Sequence, residues 1–163
     1  MSDWEYCPKC SEPLEAFEDD EQRTRSGCPT DDCDFVHYDN PTPVVAAIVQ
    51  HGDDVILARN VGWPDDWFGL VTGFLEKGET PQAGLLREIR EELGVQGDVV
   101  EFVGHYPFDQ MNQVIIVYHV EIRDDPTVGP ELAAIKRVPI DELKPWPMGT
   151  GAAVSDWLKR RQS

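Results

Sequence analysis

The sequence has few basic residues and no long apolar segment. Lysine and arginine together number 14 against 31 acidic residues, which gives the 163-residue chain a net charge of −17 at pH 7. A surface this negative repels the phosphates of DNA and RNA, so we expect no nucleic-acid partner. The longest uncharged apolar run, residues 43–49, is far too short to cross a bilayer, so we expect no membrane partner either.

The N-terminus also lacks the pattern of a secretory signal peptide. Met1 is followed by Ser2, Asp3 and Glu5 rather than by a basic start and an apolar stretch, so a cytoplasmic location is expected. The acidic excess has two interpretations that the sequence leaves open. One is a well-solvated surface, and the other is adaptation to a high-salt cytosol in which salt screens the repulsion between like charges.

Cysteine is scarce, and every cysteine falls within the first 40 residues. Cys7 and Cys10 form a Cys-x-x-Cys pair, and Cys28 and Cys33 form a second, slightly wider pair. Four thiolates from two short turns match a tetrahedral structural Zn²⁺ site. Two disulfides are disfavoured in a reducing cytosol, and a redox-active pair would need a βαβ context that is missing here. We therefore predict a zinc-binding module over residues 1–40.

The remainder of the chain, residues 41–163, has the pattern of a mixed α/β domain. Thr80 is a good N-cap, Pro81 suits the first helical position and Gly94 suits a left-handed residue after the last turn, which together predict a helix over 81–93. Alternating or continuous apolar runs predict strands, and the combination predicts layers around one sheet. The predicted strands are 44–50, 55–59, 67–72, 99–105, 114–122 and 135–138, and a second helix is predicted over 152–161.

The predicted helix 81–93 carries three clustered glutamates beside its apolar stripe. Glu88, Glu91 and Glu92 share a face because they lie three and four positions apart. A solvated acidic face is the simplest interpretation of such a cluster. The cluster nevertheless borders the core-facing stripe, and the glycine-containing loop 73–79 that precedes the helix can present backbone carbonyls. Oxygen ligands of this kind bind Mg²⁺ or Mn²⁺ together with substrate phosphates, so the residues indicate a metal-dependent site for phosphate chemistry.

Residues 73–95 resemble the Nudix box, which reads G-x5-E-x7-R-E-U-x-E-E-x-G-U with U a bulky aliphatic residue. Gly73, Glu79 and the run from Arg87 to Val95 match every specified position. The resemblance implies a Nudix α/β/α sandwich with a mixed sheet. It also implies hydrolysis of the pyrophosphate bond in a nucleoside diphosphate that is linked to another moiety.

The same resemblance implies a role for each matching residue. Glu88, Glu91 and Glu92, with the carbonyl of Gly73, are the expected ligands of a catalytic Mg²⁺ or Mn²⁺. In the implied reaction, water attacks one phosphorus atom, and Glu92 is the first candidate for the base that takes its proton.

Three further residues complete the expected site. Arg87 and Glu79 are expected to orient the metal ligands, as outer partners do at other metal sites. Many relatives have another glutamate downstream of the box that adds a ligand or serves as the base. Glu131 is the best counterpart in this chain, although a plain surface role fits it equally well.

A zinc ribbon followed by a Nudix domain resembles the arrangement in NADH pyrophosphatases and in some FAD or ADP-ribose pyrophosphatases. NADH pyrophosphatases carry an S-Q-P-W-P-F-P-x-S element after the box, whereas this chain retains only an aromatic-Pro-Phe fragment within residues 104–110. The expected substrate is therefore a small-molecule nucleotide diphosphate conjugate of the FAD, ADP-ribose or NADH type. The alternative is a catalytically silent module that senses nucleotides, and relatives in this family are often homodimers.

Four aromatic residues and one arginine are candidates for substrate contacts. Any nucleobase offers a face on which an aromatic ring can stack, and an arginine can pair with a phosphate. Aromatic residues next to strands more often belong to the core, so only one or two of them are expected to contact ligand. The candidates are Trp67, Phe68, Tyr106, Phe108 and Arg59.

Overall fold

The computed structural model describes residues 4–162, and the chain divides into two compact units, the first ending at Pro41 and the second starting at Thr42. The first unit contains a three-stranded antiparallel sheet in the order β1-β2-β3. Among its described residues, Cys7 is the one buried hydrophobic side chain. A unit with so small a core needs another source of stability. Its strands are β1 (Glu15–Glu18), β2 (Thr24–Gly27) and β3 (Val36–His37).

The second unit is a six-stranded mixed sheet with one main helix on each face. The order is β7-β8-β4-β5-β9, and β6 pairs with β4 beside β5. The pair β4–β8 is parallel and the other pairs are antiparallel. The elements are β4 (Thr42–His51), β5 (Asp54–Asn60), β6 (Val71–Phe74), α1 (Pro81–Leu93), β7 (Gly97–Phe108), a 3₁₀ turn (Asp109–Met111), β8 (Gln113–Ile122), β9 (Leu132–Pro139) and α2 (Gly151–Arg161).

Strand β4 lies at the centre of the sheet, and both of its faces are covered. Every residue from Val44 to Val49 is buried, and alternate side chains enter two separate apolar clusters. Val45 belongs to the cluster that contains Ile89 of α1, whereas Ile48 belongs to the cluster that contains Trp157 of α2. A strand covered on both faces is apolar throughout, which explains the continuous apolar run. The α/β/α sandwich with a mixed sheet is confirmed.

Helix α1 begins and ends where its capping residues predict. Thr80 Oγ1 accepts a hydrogen bond from the backbone N–H of Ala83 at 3.2 Å, and Pro81 occupies the first turn. Gly94 adopts φ = 67°, and its N–H donates to the carbonyl of Arg90 at 3.0 Å. These contacts satisfy backbone groups at both helix ends and fix which side chains of α1 face the sheet.

One predicted strand is wrong in its position. The strand expected over residues 67–72 is β6, which instead begins at Val71 and extends through Phe74. Before it, Gly69 forms an isolated bridge to Ala58 with two backbone hydrogen bonds of 2.9 Å, and Trp67 and Phe68 lie outside any strand. The aromatic residues suggested a strand, but their neighbours Pro64, Asp65 and Asp66 form a turn.

No helix within residues 4–162 is long and apolar enough to span a bilayer.

Trp157 generates a prediction about the core under α2. The side chain is 0% exposed, and its indole Nε1 has no hydrogen-bond partner among the described residues. Trp157→Ala should reduce the free energy of unfolding by about 3–5 kcal/mol, because a large buried side chain leaves a cavity. Trp157→Phe should cost less, because it keeps a ring and removes an unsatisfied donor. Urea unfolding of the full chain followed by circular dichroism measures both, and equal losses would contradict this description.

Candidate active site

Arg87 of α1 lies at the centre of the candidate site. Its Nε and Nη2 donate to the two carboxylate oxygens of Glu79 at 2.9 and 3.1 Å, which is a bidentate pair. Its Nη1 donates to Glu88 Oε1 at 2.8 Å and to Glu91 Oε2 at 3.0 Å. Nη2 also donates to the carbonyl of Phe74 at 3.0 Å. One guanidinium therefore joins the end of β6, the loop after it and the acidic face of α1.

Glu79 closes the loop between β6 and α1. Its Oε2 accepts the backbone N–H of Glu76 at 3.1 Å in addition to the bonds from Arg87. These hydrogen bonds, chiefly those from Arg87, lower the pKa of Glu79 below its usual value. Gly84 provides the space for this carboxylate, because a methyl group there would lie 2.9 Å from Glu79 Oε2. The loop is thus held in one conformation against the first turns of α1.

Gly73 brings the backbone of β6 against Glu88. It pairs with Val45 in the centre of the sheet, and a methyl group at Gly73 would overlap the Glu88 carboxyl group. Burial raises the pKa of Glu88, although its contact with Arg87 opposes that rise. The sequence motif therefore needs glycine at this position for a steric reason, and Glu88 and the Gly73 backbone are in direct contact.

Glu92 is the most buried carboxylate of the site. The residue is 3% exposed, and its Oε2 has no hydrogen-bond partner among the described residues. Burial, followed by the negative charges of Glu88, Glu131 and Glu91, raises the pKa of Glu92 to about 7. A buried carboxylate with an unsatisfied oxygen is stabilised by a proton or by a cation.

Glu131 lies within electrostatic reach of the same cluster. It is exposed just before β9, and its charge contributes to the raised pKa of both Glu88 and Glu92. The structure thus places the expected residues of the box, together with Glu131, around α1. They are Gly73, Glu79, Arg87, Glu88, Glu91, Glu92 and Glu131.

The donor set fits a divalent cation of the Mg²⁺ type. Arg87 contacts one oxygen each of Glu88 and Glu91, which leaves a second oxygen of each for other partners. The buried Oε2 of Glu92 needs a partner, and carboxylate and carbonyl oxygens are the ligands that Mg²⁺ and Mn²⁺ prefer. Within residues 4–162, however, the carboxylate oxygens are less tightly gathered than the cysteine sulfurs, which form the one group within 4.8 Å.

The four cysteines lie together in the first unit. Cys7 Sγ is 3.6 Å from Cys33 Sγ, and Cys10 Sγ is 3.4 Å from Cys28 Sγ, so each contact joins the two sequence pairs. All four ligand atoms lie within 4.8 Å of one another, and all four cysteines are free thiols. A disulfide requires about 2.05 Å. Zn–S bonds of about 2.3 Å in a tetrahedron place sulfurs about 3.8 Å apart, so the cluster fits a zinc ion.

The candidate substrate contacts divide between core and surface. Phe68, Tyr106 and Phe108 pack against the apolar cluster under α2, as expected of aromatic residues that belong to the core. Trp67 is 55% exposed, and Arg59 pairs with the exposed carboxylate of Asp65. The aromatic side chain of this set that is open to a ligand is therefore Trp67.

Sequence reasoning missed the contacts of Thr127 and Gly129 with the end of α1. Both donate backbone hydrogen bonds to carbonyls of the last helical turn, Thr127 to Leu93 and Gly129 to Glu92. The only sequence signal was the short Gly-Pro-Glu segment that placed Glu131 before a strand. The contacts join residues more than thirty positions apart and have no local pattern.

The acidic face of α1, the glycine packed against Glu88 and the Arg87 contacts on an α/β/α sandwich agree with the resemblance of residues 73–95 to the Nudix box. The chain matches the family model of the NUDIX domain over residues 40–156. It therefore belongs to the Nudix family.

Curated relatives extend beyond this chain. It is 25% identical over 150 residues to a protein of Pseudomonas putida named NAD-capped RNA hydrolase NudC. The match covers 91% of this chain and 52% of that protein. A Mycobacterium bovis protein of the same name is 36% identical over 78 residues, 47% of this chain and 25% of that protein. The chain thus spans about half the length, or less, of these two relatives.

Solved structures share the fold. A NUDIX hydrolase from Nitrosomonas europaea has a TM-score of 0.81 and 23% identity, and the match covers 98% of this chain and 93% of that one. An ADP-ribose pyrophosphatase from Streptococcus suis has a TM-score of 0.62 and 16% identity over 76% of this chain and 94% of that one. At these identities the likeness concerns the fold alone.

The cysteine cluster predicts one tightly bound Zn²⁺ per chain. Removing it with a thiol-reactive mercurial should unfold the β1–β3 sheet, because that unit has almost no buried apolar side chain to replace the metal. The unit from Thr42 onward should keep its own unfolding transition. Elemental analysis and circular dichroism measure both effects, and a metal-free native protein whose first unit stays folded would contradict the prediction.

The raised pKa of Glu92 predicts how stability depends on pH without added Mg²⁺. Because the folded-state pKa lies above the unfolded value, the protonated form stabilises the fold below pH 4.5, and that contribution is lost as the pH rises through about 7. Glu92→Gln removes this titration. The stability of the variant relative to wild type should therefore increase from pH 4.5 to 7.5 in urea unfolding, and parallel curves would disprove the raised pKa.

Proposed function

We propose that the chain is a Mg²⁺-dependent Nudix pyrophosphohydrolase that cleaves a nucleoside diphosphate linked to another moiety. The observation that carries the proposal is the complete box, folded so that buried Glu92 has an unsatisfied oxygen beside Glu88. A cluster of this kind is unfavourable in an already acidic protein unless a cation binds there. The same cation would allow a substrate diphosphate to approach a chain of charge −17.

Glu88, Glu91 and Glu92, with the carbonyl of Gly73, are the proposed ligands of Mg²⁺ or Mn²⁺. When bound there, Mg²⁺ would lower the pKa of a coordinated water and would neutralise charge on the phosphoryl oxygens. Arg87 positions the ligands, because it fixes one oxygen each of Glu88 and Glu91 and leaves the other oxygen to the cation. Glu79 in turn fixes the orientation of the Arg87 guanidinium, because both of its carboxylate oxygens accept hydrogen bonds from that group.

Glu92 is the proposed general base that takes the proton of the attacking water. Its carboxylate is buried beside Glu88, and its Oε2 has no partner among the described residues, so that oxygen is available to accept a proton. Glu131 lies within electrostatic reach of Glu92 and would add a further ligand or share the role of base.

The proposed substrates are small nucleotide conjugates of the ADP-ribose, FAD or NADH type, acted on in the cytoplasm. Hydrolysis would release two phosphate monoesters, one of them a nucleoside monophosphate. The exposed ring of Trp67 is available to stack on a base. Incubation with Mg²⁺ and these conjugates, with products identified by mass, tests the substrate class directly.

A second candidate substrate is RNA that carries a 5′ NAD cap. The name shared by the Pseudomonas putida and Mycobacterium bovis relatives favours it. The net charge of −17 opposes it, because each phosphate of an RNA chain would be repelled. A capped oligonucleotide belongs in the same panel, at low and high salt. Cleavage of it at the rate of free NAD would replace our expectation of no nucleic-acid partner.

Glu92→Gln tests the catalytic assignment and the silent alternative together. The variant should lose about 10²–10⁴-fold in kcat, because glutamine cannot take a proton, while its unfolding transition remains cooperative. Glu142→Gln is a matched control, because Glu142 is also an exposed glutamate. It follows the C-terminal end of β9, whereas Glu131 precedes the N-terminal end of that strand. Turnover of Glu92→Gln within a few-fold of wild type would reject the assignment. A wild-type protein that binds Mg²⁺ and nucleotide without releasing product would support the sensing module instead.

A further inference from the structure

Residues 127–131 form a strap across the last turn of α1, the turn that carries Glu91 and Glu92. The backbone N–H of Thr127 donates to the carbonyl of Leu93 at 2.8 Å, and its Oγ1 donates to the same carbonyl at 3.2 Å. The N–H of Gly129 donates to the carbonyl of Glu92 at 2.7 Å. Carbonyls at a helix end have no partner within the helix, so these bonds replace water.

The strap lies so close to α1 that there is no space for a side chain at Gly129, in the middle of the strap. A methyl group at Gly129 would overlap the carbonyl of Glu91 and lie 2.7 Å from that of Glu92. A methyl group at Gly94 would likewise overlap the hydroxyl of Thr127. Two glycines on opposite sides of the contact are therefore required by close approach. The distance between strap and helix is fixed by sterics as well as by hydrogen bonds.

The other end of the strap is fixed to the sheet. The N–H of Val61, just after β5, donates to the carbonyl of Glu131 at 3.0 Å, and the N–H of Leu132 donates to Gly129 at 3.1 Å. Leu132 is buried in the cluster under α1 and pairs with Asn60. Glu131 thus lies between a hydrogen-bonded contact to α1 and a hydrogen-bonded contact to β5, although its side chain is exposed.

We propose that Thr127 and Gly129 are positioning residues that hold the Glu131 carboxylate beside Glu88 and Glu92, where it faces the bound cation and substrate. The proposal rests on the proposed function, because it assigns Glu131 to that site. It explains why an exposed side chain on a loop would be placed accurately enough to act. If the strap only capped the helix, disturbing it would lower stability without acting through Glu131.

A double-mutant cycle separates these two roles. Gly129→Ala pushes the strap away from the helix, and Glu131→Gln removes the charge that the strap positions. Each variant should lower kcat about 10–100-fold with KM nearly unchanged, by analogy with outer partners of metal ligands. The double variant should be within about twofold of the more impaired single variant, because both changes remove the same contribution. Glu142→Gln, which changes an exposed glutamate outside the strap, should behave as wild type.

Thr127→Val covers the case in which Gly129→Ala fails to fold. It removes the hydroxyl hydrogen bond, keeps the backbone bond to Leu93, and should lower kcat a few-fold in wild type but not in Glu131→Gln. The proposal would be overturned if the losses of kcat in the strap variants and in Glu131→Gln multiplied in the double variants. Full activity of Gly129→Ala would overturn it as well.

Binding of Mn²⁺ alone gives a readout that needs no turnover. Electron paramagnetic resonance should show weaker Mn²⁺ binding by about tenfold in Gly129→Ala and in Glu131→Gln, and no further loss in the double variant. If wild type cleaves none of the conjugates but this pattern holds, the proposed function fails and the strap stands. If wild type cleaves a conjugate and the strap variants bind Mn²⁺ and turn over normally, the strap fails alone.

Discussion

The candidate site depends on the guanidinium of Arg87. It binds three glutamates and one backbone carbonyl, and so offsets like-charge repulsion on the acidic face of α1. Contacts with Glu79 first, and then with Glu88 and Glu91, raise the pKa of Arg87 above its ordinary value. The same guanidinium closes the loop after β6 onto the helix. Without it, the carboxylates of Glu79, Glu88 and Glu91 would repel one another and the loop would lose its main contact.

Arg87 bonds Glu79, Glu88 and Glu91 but leaves the negative charge of the Glu92 carboxylate without a cationic partner within residues 4–162. Glu92 projects from the same helix into a buried position, where no side chain of the described residues bonds its Oε2. The sandwich makes this burial possible, because α1 packs on the sheet through Leu85, Ile89 and Leu93 beside it. The free energy lost by burying an unsatisfied carboxylate is recovered when a cation or proton binds. A cation or a proton bound at Glu92 would therefore stabilise the fold.

Local patterns predicted the parts of the fold that local interactions control. Helix α1 was predicted residue for residue because Thr80 and Gly94 cap it, and β4 was found because both of its faces are covered. The segment around Trp67 was placed wrongly, since aromatic residues favour strands whereas a Pro-Asp-Asp turn decided the backbone. The box residues came together as expected. The strap at Thr127 and Gly129 was not predictable, because its hydrogen bonds join distant parts of the chain.

The central claim is that water attacks one phosphorus of a pyrophosphate at a cation held by the α1 glutamates. Hydrolysis in ¹⁸O-labelled water with increasing Mg²⁺, followed by mass analysis of the phosphate monoesters, tests it most directly. The account predicts a single ¹⁸O in one of the two products, formed only when Mg²⁺ or Mn²⁺ is present. Products without label, or an equal rate in the absence of a divalent cation, would contradict it.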